Sequence, residues 1–187
     1  MRLPRSLAES VRHMREHKVS TLLFSIALGW ALLILFAPLL LPPGTIDLGE
    51  EGVVGCAEHA DVIDKIENPL LRFVYQTGEI SCHQRSSRSF YLNSNQMPYC
   101  ARCTAVFASL PLGLLLYFVF RRPLNPLWLI VALVPLGIDG GLQLLTDYES
   151  TNIVRAITGS LAGGAAGYVL GIIAHELSTI WKGRSPR

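Results

Sequence analysis

Apolar residues along the chain fall into four blocks of about 20 residues, separated by more polar segments. The blocks are residues 21–42, 100–120, 124–145 and 153–174. A helix that rises 1.5 Å per residue needs about 20 residues to cross ~30 Å of hydrocarbon. The pattern therefore predicts an all-α integral membrane protein with four transmembrane helices. Residues 100–174 hold the last three of them.

The first block could also be compared with a secretory signal peptide. Its apolar run, residues 21–42, is longer than the ~7–15 residues usual in signal peptides. A long basic segment precedes it, and no small-residue cleavage pattern follows it. We therefore expect the block to be a retained membrane helix.

Basic residues predict the orientation of the four helices. Lysines and arginines are concentrated before the first block, between the second and third blocks, and after the fourth block. If all four blocks cross the membrane, these three segments lie on the same side of it. An excess of basic residues marks the cytoplasmic side. We expect a protein of the cell membrane with both tails, residues 1–20 and 175–187, in the cytoplasm, and residues 43–99 outside. Ten of the 16 basic residues lie in these three segments, namely Arg2, Arg5, Arg12, Arg15, Lys18, Arg121, Arg122, Lys182, Arg184 and Arg187.

The outer segment is predicted to contain one short amphipathic helix. In "NPLLRFVYQTGEI", Asn68 is a typical N-cap and Pro69 suits the first helical position. Helical spacing then places several of the apolar residues on one face of this helix. We interpret this segment as an interfacial helix lying along the outer membrane surface or packed on the protein itself. The expected face consists of Leu70, Leu71, Val74 and Tyr75.

Composition narrows the range of partners. Half of the chain is hydrophobic and 16% is charged, against roughly 25% charged in soluble domains. The net charge is only +2, and no basic stripe alternates with aromatic residues. These features exclude a nucleic-acid binder and make membrane lipids the expected partners.

A Cys/His group at the start of the second block carries the strongest chemical signal. Cys100 and Cys103 lie three residues apart in the first turn, so they share a face, and the helix dipole there favours thiolate. Cys82 and His83 lie 18 and 17 residues before Cys100. A pair of ligands followed by a loop of this length and then a C-x2-C pair is typical of a small zinc site. We therefore predict a zinc cofactor with Cys82, His83, Cys100 and Cys103 as metal ligands.

Two other interpretations of the cysteines stay open. Outside the cytoplasm, cysteines tend to form disulfides. A C-x2-C pair at a helix start is also the thiol–disulfide arrangement of thioredoxin, although no βαβ context surrounds it here. Cys56 and His59 are further candidate ligands in the same segment.

Polar residues within the last two blocks form a second candidate site. Asp139 lies inside the third block with Gln143 four residues later, and Arg155 lies one turn into the fourth, after Asn152. Ionisable groups inside a bilayer are costly unless paired, so we expect an Asp139–Arg155 ion pair. The candidate catalytic residues are Asp139 as acid/base and Arg155 as a clamp for an anionic group, with Gln143 and Asn152. The alternative is an ion pair that only fixes helix packing.

A stripe of glycines in the fourth block predicts close helix packing. Gly159, Gly163, Gly167 and Gly171 recur every four residues, and small residues at this spacing let helices approach closely in lipid. We expect the partner to be another helix of the same chain. The alternative is a second copy, which would make a homo-oligomer.

Several stretches give the chain a resemblance. "CHQ", "RSFYLN", "PYCARCT", "GIDGGLQ" and "ESTNIVRAITGSLAG" together resemble an uncharacterised family of small integral membrane proteins found in archaea and bacteria. The similarity covers roughly residues 70–171. The family pattern usually has glycine at the positions of Ser94 and Ala105. The resemblance implies a membrane protein and supplies no activity.

Two function classes follow from these residues. In the first, a metal with an open position serves an enzyme acting on an amphiphilic or lipid-like substrate. In the second, a closed structural zinc supports a binding, transport or assembly component, or the cysteines serve an extracytoplasmic thiol–disulfide protein. Three protein ligands plus water would favour the first class, and four protein ligands would favour the second.

Overall fold

The computed structural model describes residues 18–52, 54–56, 58–121 and 125–181. Within these residues a two-stranded antiparallel ribbon pairs β1 (Tyr91–Leu92) with β2 (Asn95–Gln96), and short 3-10 turns cover Ala37–Leu40 and Ser86–Arg88. Most of the basic tails expected in the cytoplasm, together with Arg122, lie outside the described residues. The helices are α1 (Lys18–Phe36), α2 (Ala60–Ile63), α3 (Pro69–Ser81), α4 (Ala101–Phe120), α5 (Pro126–Leu145) and α6 (Asn152–Trp181).

Four of the described helices are long and apolar enough to cross a membrane. The spans are Val19–Leu40, Ala101–Phe120, Leu127–Leu145 and Asn152–Ser178. They correspond to the four apolar blocks of the sequence. The predicted fold class, a mostly helical membrane protein with four spanning helices, is confirmed.

Helices α4 and α6 form the central pair, and the glycine stripe is the reason that they pack so closely. A Cβ atom on Gly163 would lie 2.2 Å from the carbonyl oxygen of Val106, and one on Gly167 would lie 2.0 Å from that of Leu110. Real Cβ atoms do not approach backbone oxygens this closely, so only glycine fits. The stripe therefore faces α4 of the same chain, as expected.

The other two spans lie on the outside of this pair. Helix α1 packs against both α4 and α6, whereas α5 packs mainly along α6. Large apolar side chains of α5, including Trp128, Ile130 and Ile138, remain exposed. An exposed apolar surface on a membrane-spanning helix is the surface that contacts lipid.

The segment between α1 and α4 folds onto the end of the bundle and is organised by Asn95. Its side-chain oxygen accepts hydrogen bonds from the backbone N–H groups of Thr45 (2.7 Å) and Ile46 (3.0 Å). Its amide nitrogen donates to the carbonyls of Pro38 and Pro42, both at 2.9 Å. The ribbon is thereby fixed to the chain leaving α1. The core beneath it includes Ile34, Leu41, Ile46, Leu48, Ile63, Ile66, Leu71, Val74, Tyr75, Met97 and Tyr99.

Helix α3 begins as predicted but presents a different apolar face. Asn68 accepts hydrogen bonds from the N–H groups of Leu70 (2.9 Å) and Leu71 (3.3 Å), with Pro69 at the first position. Leu70 was expected on the packed face, yet it is 51% exposed. A helical period of 3.6 residues places it beside Phe73 and Ile80 on the outer face. The buried residues of the helix are Leu71, Val74, Tyr75, Gly78 and Glu79.

Candidate metal centre

Three cysteine side chains converge where the loop segment meets the membrane helices. Cys82 directly follows α3, Cys100 is the N-cap of α4, and Cys103 lies in the first turn of α4. Their three sulfur atoms lie within 4.8 Å of one another. Sulfurs bound to one tetrahedral zinc at ~2.3 Å are about 3.8 Å apart. Small side-chain adjustments would therefore close this three-sulfur cluster around one ion.

All four cysteines of the chain are free thiols in the structure. Cys56 is exposed, in contrast to Cys82, which is buried. The three-sulfur cluster thus provides the soft ligand atoms that zinc accepts.

Gln84 holds the two halves of the cluster in place. Its backbone adopts a left-handed conformation (φ 43°), and its side chain is fully buried. The side-chain amide donates to the carbonyls of Pro98 (2.6 Å) and Tyr75 (3.1 Å). The segment that follows Cys82 is thereby tied to the segment that precedes Cys100. This role of the glutamine in "CHQ" was missed at the level of sequence.

Hydrogen bonding within the three-sulfur cluster favours one thiolate. Hydrogen bonds from the thiols of Cys103 and Cys82 hold the pKa of Cys100 well below its usual range. The hydrogen bond with Cys100 in turn raises the pKa of Cys82. The N–H of Cys100 also points at the sulfur of Cys82, at 3.4 Å. Because a metal binds thiolates and displaces their protons, this environment suits a bound cation.

The structure does not bring His83 into the three-sulfur cluster. Cys82 has an extended backbone (φ −146°, ψ 152°), and successive side chains of an extended chain point to opposite sides. Cys82 therefore turns inward and is 4% exposed, while His83 is exposed. His83 instead lines a small cavity together with Cys56 and His59.

The expected Asp139–Arg155 ion pair is not formed, and this prediction was wrong. Asp139 pairs with Arg102 from the first turn of α4. Arg155 contacts the side-chain oxygens of Gln143 (3.4 Å) and Glu149 (3.6 Å) instead. The long side chain of Arg102 reaches from the mouth of its own helix to a carboxylate on a neighbouring one. Because Arg102 lies near the end of its helix, the sequence did not indicate it as the partner of Asp139.

The four residues of the second candidate site nevertheless belong to one connected polar cluster. Gln143 donates to the Asp139 carboxylate at 3.3 Å and accepts from Arg155, so it links the two charged groups. Asn152 accepts from Arg155 at 3.2 Å and donates to the carbonyl of Ser89 at 3.1 Å. The cluster therefore joins three membrane helices to the loop segment.

Two further charged residues, Arg88 and Glu149, complete this polar cluster. Arg88, from the "RSFYLN" stretch, forms an ion pair with Glu149 at 2.9 Å. Three arginines, Arg88, Arg102 and Arg155, therefore meet two carboxylates, Asp139 and Glu149. Asp139 and Arg155 are 5% and 3% exposed. The cluster carries an excess of positive charge beside the cysteines, since Arg102 lies between Cys100 and Cys103 in the chain.

Comparisons with known proteins agree with this picture of a membrane protein. Residues 82–169 match the family described as "Predicted membrane protein (DUF2085)". An uncharacterised protein of Methanocaldococcus jannaschii is 38% identical over 96 residues, which are 48% of this chain and 61% of that protein. An uncharacterised protein of Methanothermobacter thermautotrophicus is 29% identical over 101 residues, which are 50% of this chain and 87% of that protein. No solved structure matches the chain.

These matches confirm the resemblance to an uncharacterised family of membrane proteins. The matched segment contains the three-sulfur cluster and the charged residues Asp139 and Arg155, whereas Cys56 and His59 precede it. The match spans less than two thirds of the length of the Methanocaldococcus jannaschii protein.

Proposed function

We propose that this protein is an integral membrane zinc protein whose metal is held by the thiolates of Cys82, Cys100 and Cys103. The observation that carries the proposal is the convergence of their sulfurs within 4.8 Å. Thiolates are soft ligands, and among the common divalent ions they suit zinc well. The positive-inside pattern of the sequence supports a site on the outer side of the cell membrane.

Three protein ligands support a site with an exchangeable fourth position. Structural zinc sites usually have four protein ligands, whereas catalytic ones have three and a water or substrate. His83 faces away from the sulfurs, so the fourth position is left to a small molecule. A bound zinc would there polarise a carbonyl or phosphoryl group or activate water. This argument favours a metal-dependent enzyme over a purely structural zinc protein.

The polar cluster is proposed to bind the anionic part of the substrate. Its three arginines outnumber its two carboxylates, and Arg155 presents a planar guanidinium suited to phosphate or carboxylate. Asp139 is the proposed acid/base, held by Arg102 and Gln143, with Asn152 orienting Arg155. Because these residues lie within apolar helices, the substrate class that fits is amphiphilic or lipid-like.

One observation favours a second candidate function, an extracytoplasmic thiol–disulfide protein. The depressed pKa of Cys100 within a C-x2-C sequence at a helix start is also typical of redox-active cysteines. In that case the three sulfurs would exchange disulfides rather than share an ion. The two candidates differ in the state of the thiols after purification.

Metal analysis combined with thiol counting tests the proposal. The full chain, purified anaerobically from its membrane, should contain thiolate-bound zinc, and three of its four cysteines should resist alkylation until a chelator is added. Cobalt(II) substitution should give a thiolate-to-cobalt charge-transfer band that Cys100→Ser weakens and the control Cys56→Ser preserves. Metal-free protein with a Cys100–Cys103 disulfide would overturn the zinc proposal in favour of the redox candidate.

A further inference from the structure

Helix α3 has a second apolar face, which points away from the core of the loop segment. It consists of Leu70, Phe73 and Ile80, whose exposed fractions are 51%, 53% and 62%. The helical period places these three residues on one side of α3, opposite the buried Leu71 and Tyr75. We call this side the outer face of α3. Contiguous exposed apolar side chains of this size mark an interaction surface.

The hydroxyl groups on this side of α3 donate their hydrogen bonds to the helix itself. Thr77, between Phe73 and Ile80, donates to the backbone carbonyl of Val74 at 2.8 Å. Ser81 donates in the same way to the backbone carbonyl of Thr77. Hydrocarbon offers no hydrogen-bond partners, so polar groups that face it must be satisfied within the helix. The hydroxyl groups of this side of α3 meet that condition.

The charged side chains of α3 lie away from the outer face. Glu79 is buried on the other side of the helix. Arg72 turns back towards the start of α3 and donates two hydrogen bonds to the carbonyl of Ile66, at 2.9 Å and 2.6 Å. The outer face therefore combines large apolar side chains with an absence of charge among the described residues of α3, as a face that contacts lipid does.

The ring of Phe73 defines the position of α3 relative to the membrane-spanning helices. Its centroid lies 6.1 Å from that of Trp30, in an edge-to-face pair. Trp30 belongs to the span of α1, nearly three turns before that span ends at Leu40. The ring of Trp30 also contacts that of Phe107, nearly two turns inside α4, with centroids 6.4 Å apart. Phe73 therefore lies alongside the spanning parts of α1 and α4 rather than beyond their ends.

The outer face of α3 also continues an apolar surface of α1. Between Trp30 and the end of its span, α1 exposes Leu32, Phe36 and Leu40. Exposed apolar side chains of a spanning helix contact lipid, and Phe73 adjoins this helix through Trp30. A hydrocarbon layer of ~30 Å that covers the span of α1 therefore also reaches α3.

We propose that α3 is inserted sideways into the leaflet nearest the loop segment, with its outer face in contact with lipid acyl chains. Amphipathic helices at an interface bury their apolar face about 5–10 Å into the boundary between head groups and acyl chains. Helix α3 differs from a freely bound helix, because its other side packs in the core of the loop segment. Lipid thereby anchors the loop segment directly before Cys82. The inference goes beyond the proposed function, because it concerns lipid contact and requires no metal.

Photo-crosslinking of the full chain in lipid nanodiscs tests this proposal. The photoreactive residue p-benzoylphenylalanine would replace Phe73 or Ile80 in separate variants. Ile130, exposed on the spanning helix α5, is the positive control, and Ser94, exposed at the tip of the ribbon, is the negative control. We expect lipid adducts, identified by mass spectrometry, from Phe73 and Ile80 at yields similar to that of Ile130 and several-fold above that of Ser94.

Hydroxyl-radical footprinting of the wild-type chain gives a second measurement that needs no variant. Phe73 and Tyr91 are both aromatic and have similar exposed fractions, 53% and 43%. The Tyr91 hydroxyl bonds the carboxylate of Asp47, which is also exposed, at 3.3 Å. In nanodiscs, and after correction for intrinsic reactivity, Phe73 should be oxidised several-fold less than Tyr91, because lipid shields only Phe73.

The opposite results would overturn the proposal. Crosslinks from Phe73 or Ile80 to a second copy of the chain would show that the outer face is a protein interface. Adduct yields as low as that of Ser94, or oxidation of Phe73 as strong as that of Tyr91, would show that α3 lies in water. None of these results depends on the three-sulfur cluster, so failure of this inference is distinguishable from failure of the zinc proposal.

Discussion

The extended backbone at Cys82 separates two neighbouring side chains that have different chemistry. Cys82 turns towards Cys100 and Cys103, whereas His83 turns outward and is exposed. One residue of extended chain is thus enough to separate His83 from the three cysteines of the predicted four-ligand motif. The spacing of the cysteines in the sequence predicted that they lie close together, because their positions follow from a helix turn and a short loop. The spacing does not indicate the direction in which the His83 side chain points.

A substitution of His83 should distinguish the four-ligand set predicted from the sequence from the proposed three-sulfur set. Because His83 faces away from the sulfurs, His83→Ala should leave the thiolate-bound metal in place. Cys82→Ser should lower its affinity at least tenfold, because it removes one of three ligands. The thiolate-to-cobalt charge-transfer band measures both effects. Equal loss of the band in the two variants would restore His83 to the three-sulfur cluster.

Gln84 should control the geometry of the three-sulfur cluster without binding metal. Gln84→Ala removes two hydrogen bonds to buried carbonyls, and an unsatisfied buried polar group costs about 1–3 kcal/mol. We expect a lower unfolding temperature and a metal affinity reduced ~10–100-fold, as for other residues that orient ligands. Gln76→Ala, a glutamine on the neighbouring helix α3, is the control. Equal behaviour of the two variants in metal titration and thermal unfolding would contradict this role.

Arg102 rather than Arg155 should be the energetic partner of Asp139. A lone charge at membrane depth costs at least ~2.5 kcal/mol on insertion scales. Arg102→Gln and Asp139→Asn should therefore each destabilise the protein, and the double variant should be milder than their sum by about 0.5–3 kcal/mol.

The corresponding double-mutant cycle of Asp139 with Arg155 is the control for this experiment. Among the described residues, Asp139 and Arg155 are linked indirectly, through Gln143, so their coupling should be weaker. Unfolding free energies measured in detergent give the coupling energy of each double-mutant cycle. A stronger coupling for Asp139 with Arg155 would show that the original sequence prediction was right.

At the scale of whole elements, the glycine stripe of α6 sets the distance between the two central helices. Gly163 faces the backbone of α4, while Gly164, the next residue, has nothing within 4 Å of the position of a Cβ atom. The two glycines share a helix and a depth but differ in their surroundings. They form a matched pair for measuring the contribution of close packing.

Alanine substitution of this pair should have opposite effects. Gly163→Ala places a methyl group against the carbonyl of Val106, and such overpacking typically costs about 1–3 kcal/mol. Gly164→Ala meets no neighbour, and alanine favours a helix over glycine by about 1 kcal/mol. Thermal unfolding in detergent should therefore show a lower midpoint for the first variant and an unchanged or higher one for the second. Similar midpoints would mean that α4 and α6 are not in close contact.

The elements themselves were more predictable than the contacts between them. The spans follow from uninterrupted apolar blocks, and the start of α3 follows from the local Asn68–Pro69 cap, so both are short-range signals. The partner of Asp139 depends on the reach of the Arg102 side chain between helices. The burial of Glu79 and Gln84 depends on how the loop folds over α3. Such long-range contacts leave no periodic trace in a single sequence.

On the scale of the whole molecule, the chemical groups gather at one end of the helix bundle. The start of α4, the end of α5 and the start of α6 meet there, and the folded loop segment covers them through contacts such as Arg88–Glu149. The opposite end carries the link between α4 and α5, where Arg121 ends α4. A membrane across the four helices would therefore separate the candidate sites from Arg121. On the positive-inside rule we propose that the candidate sites lie outside the cytoplasm.

Cysteine labelling should test this orientation directly. Ser94 is exposed at the tip of the ribbon, and Asn125 is exposed in the link at the opposite end of the bundle. In a Cys56→Ser background, which removes the exposed native thiol, a membrane-impermeant maleimide should label Ser94→Cys in intact cells. Asn125→Cys should react only after permeabilisation. The reverse pattern would place the three-sulfur cluster on the cytoplasmic side, where a reducing environment would remove the redox candidate and leave the zinc proposal standing.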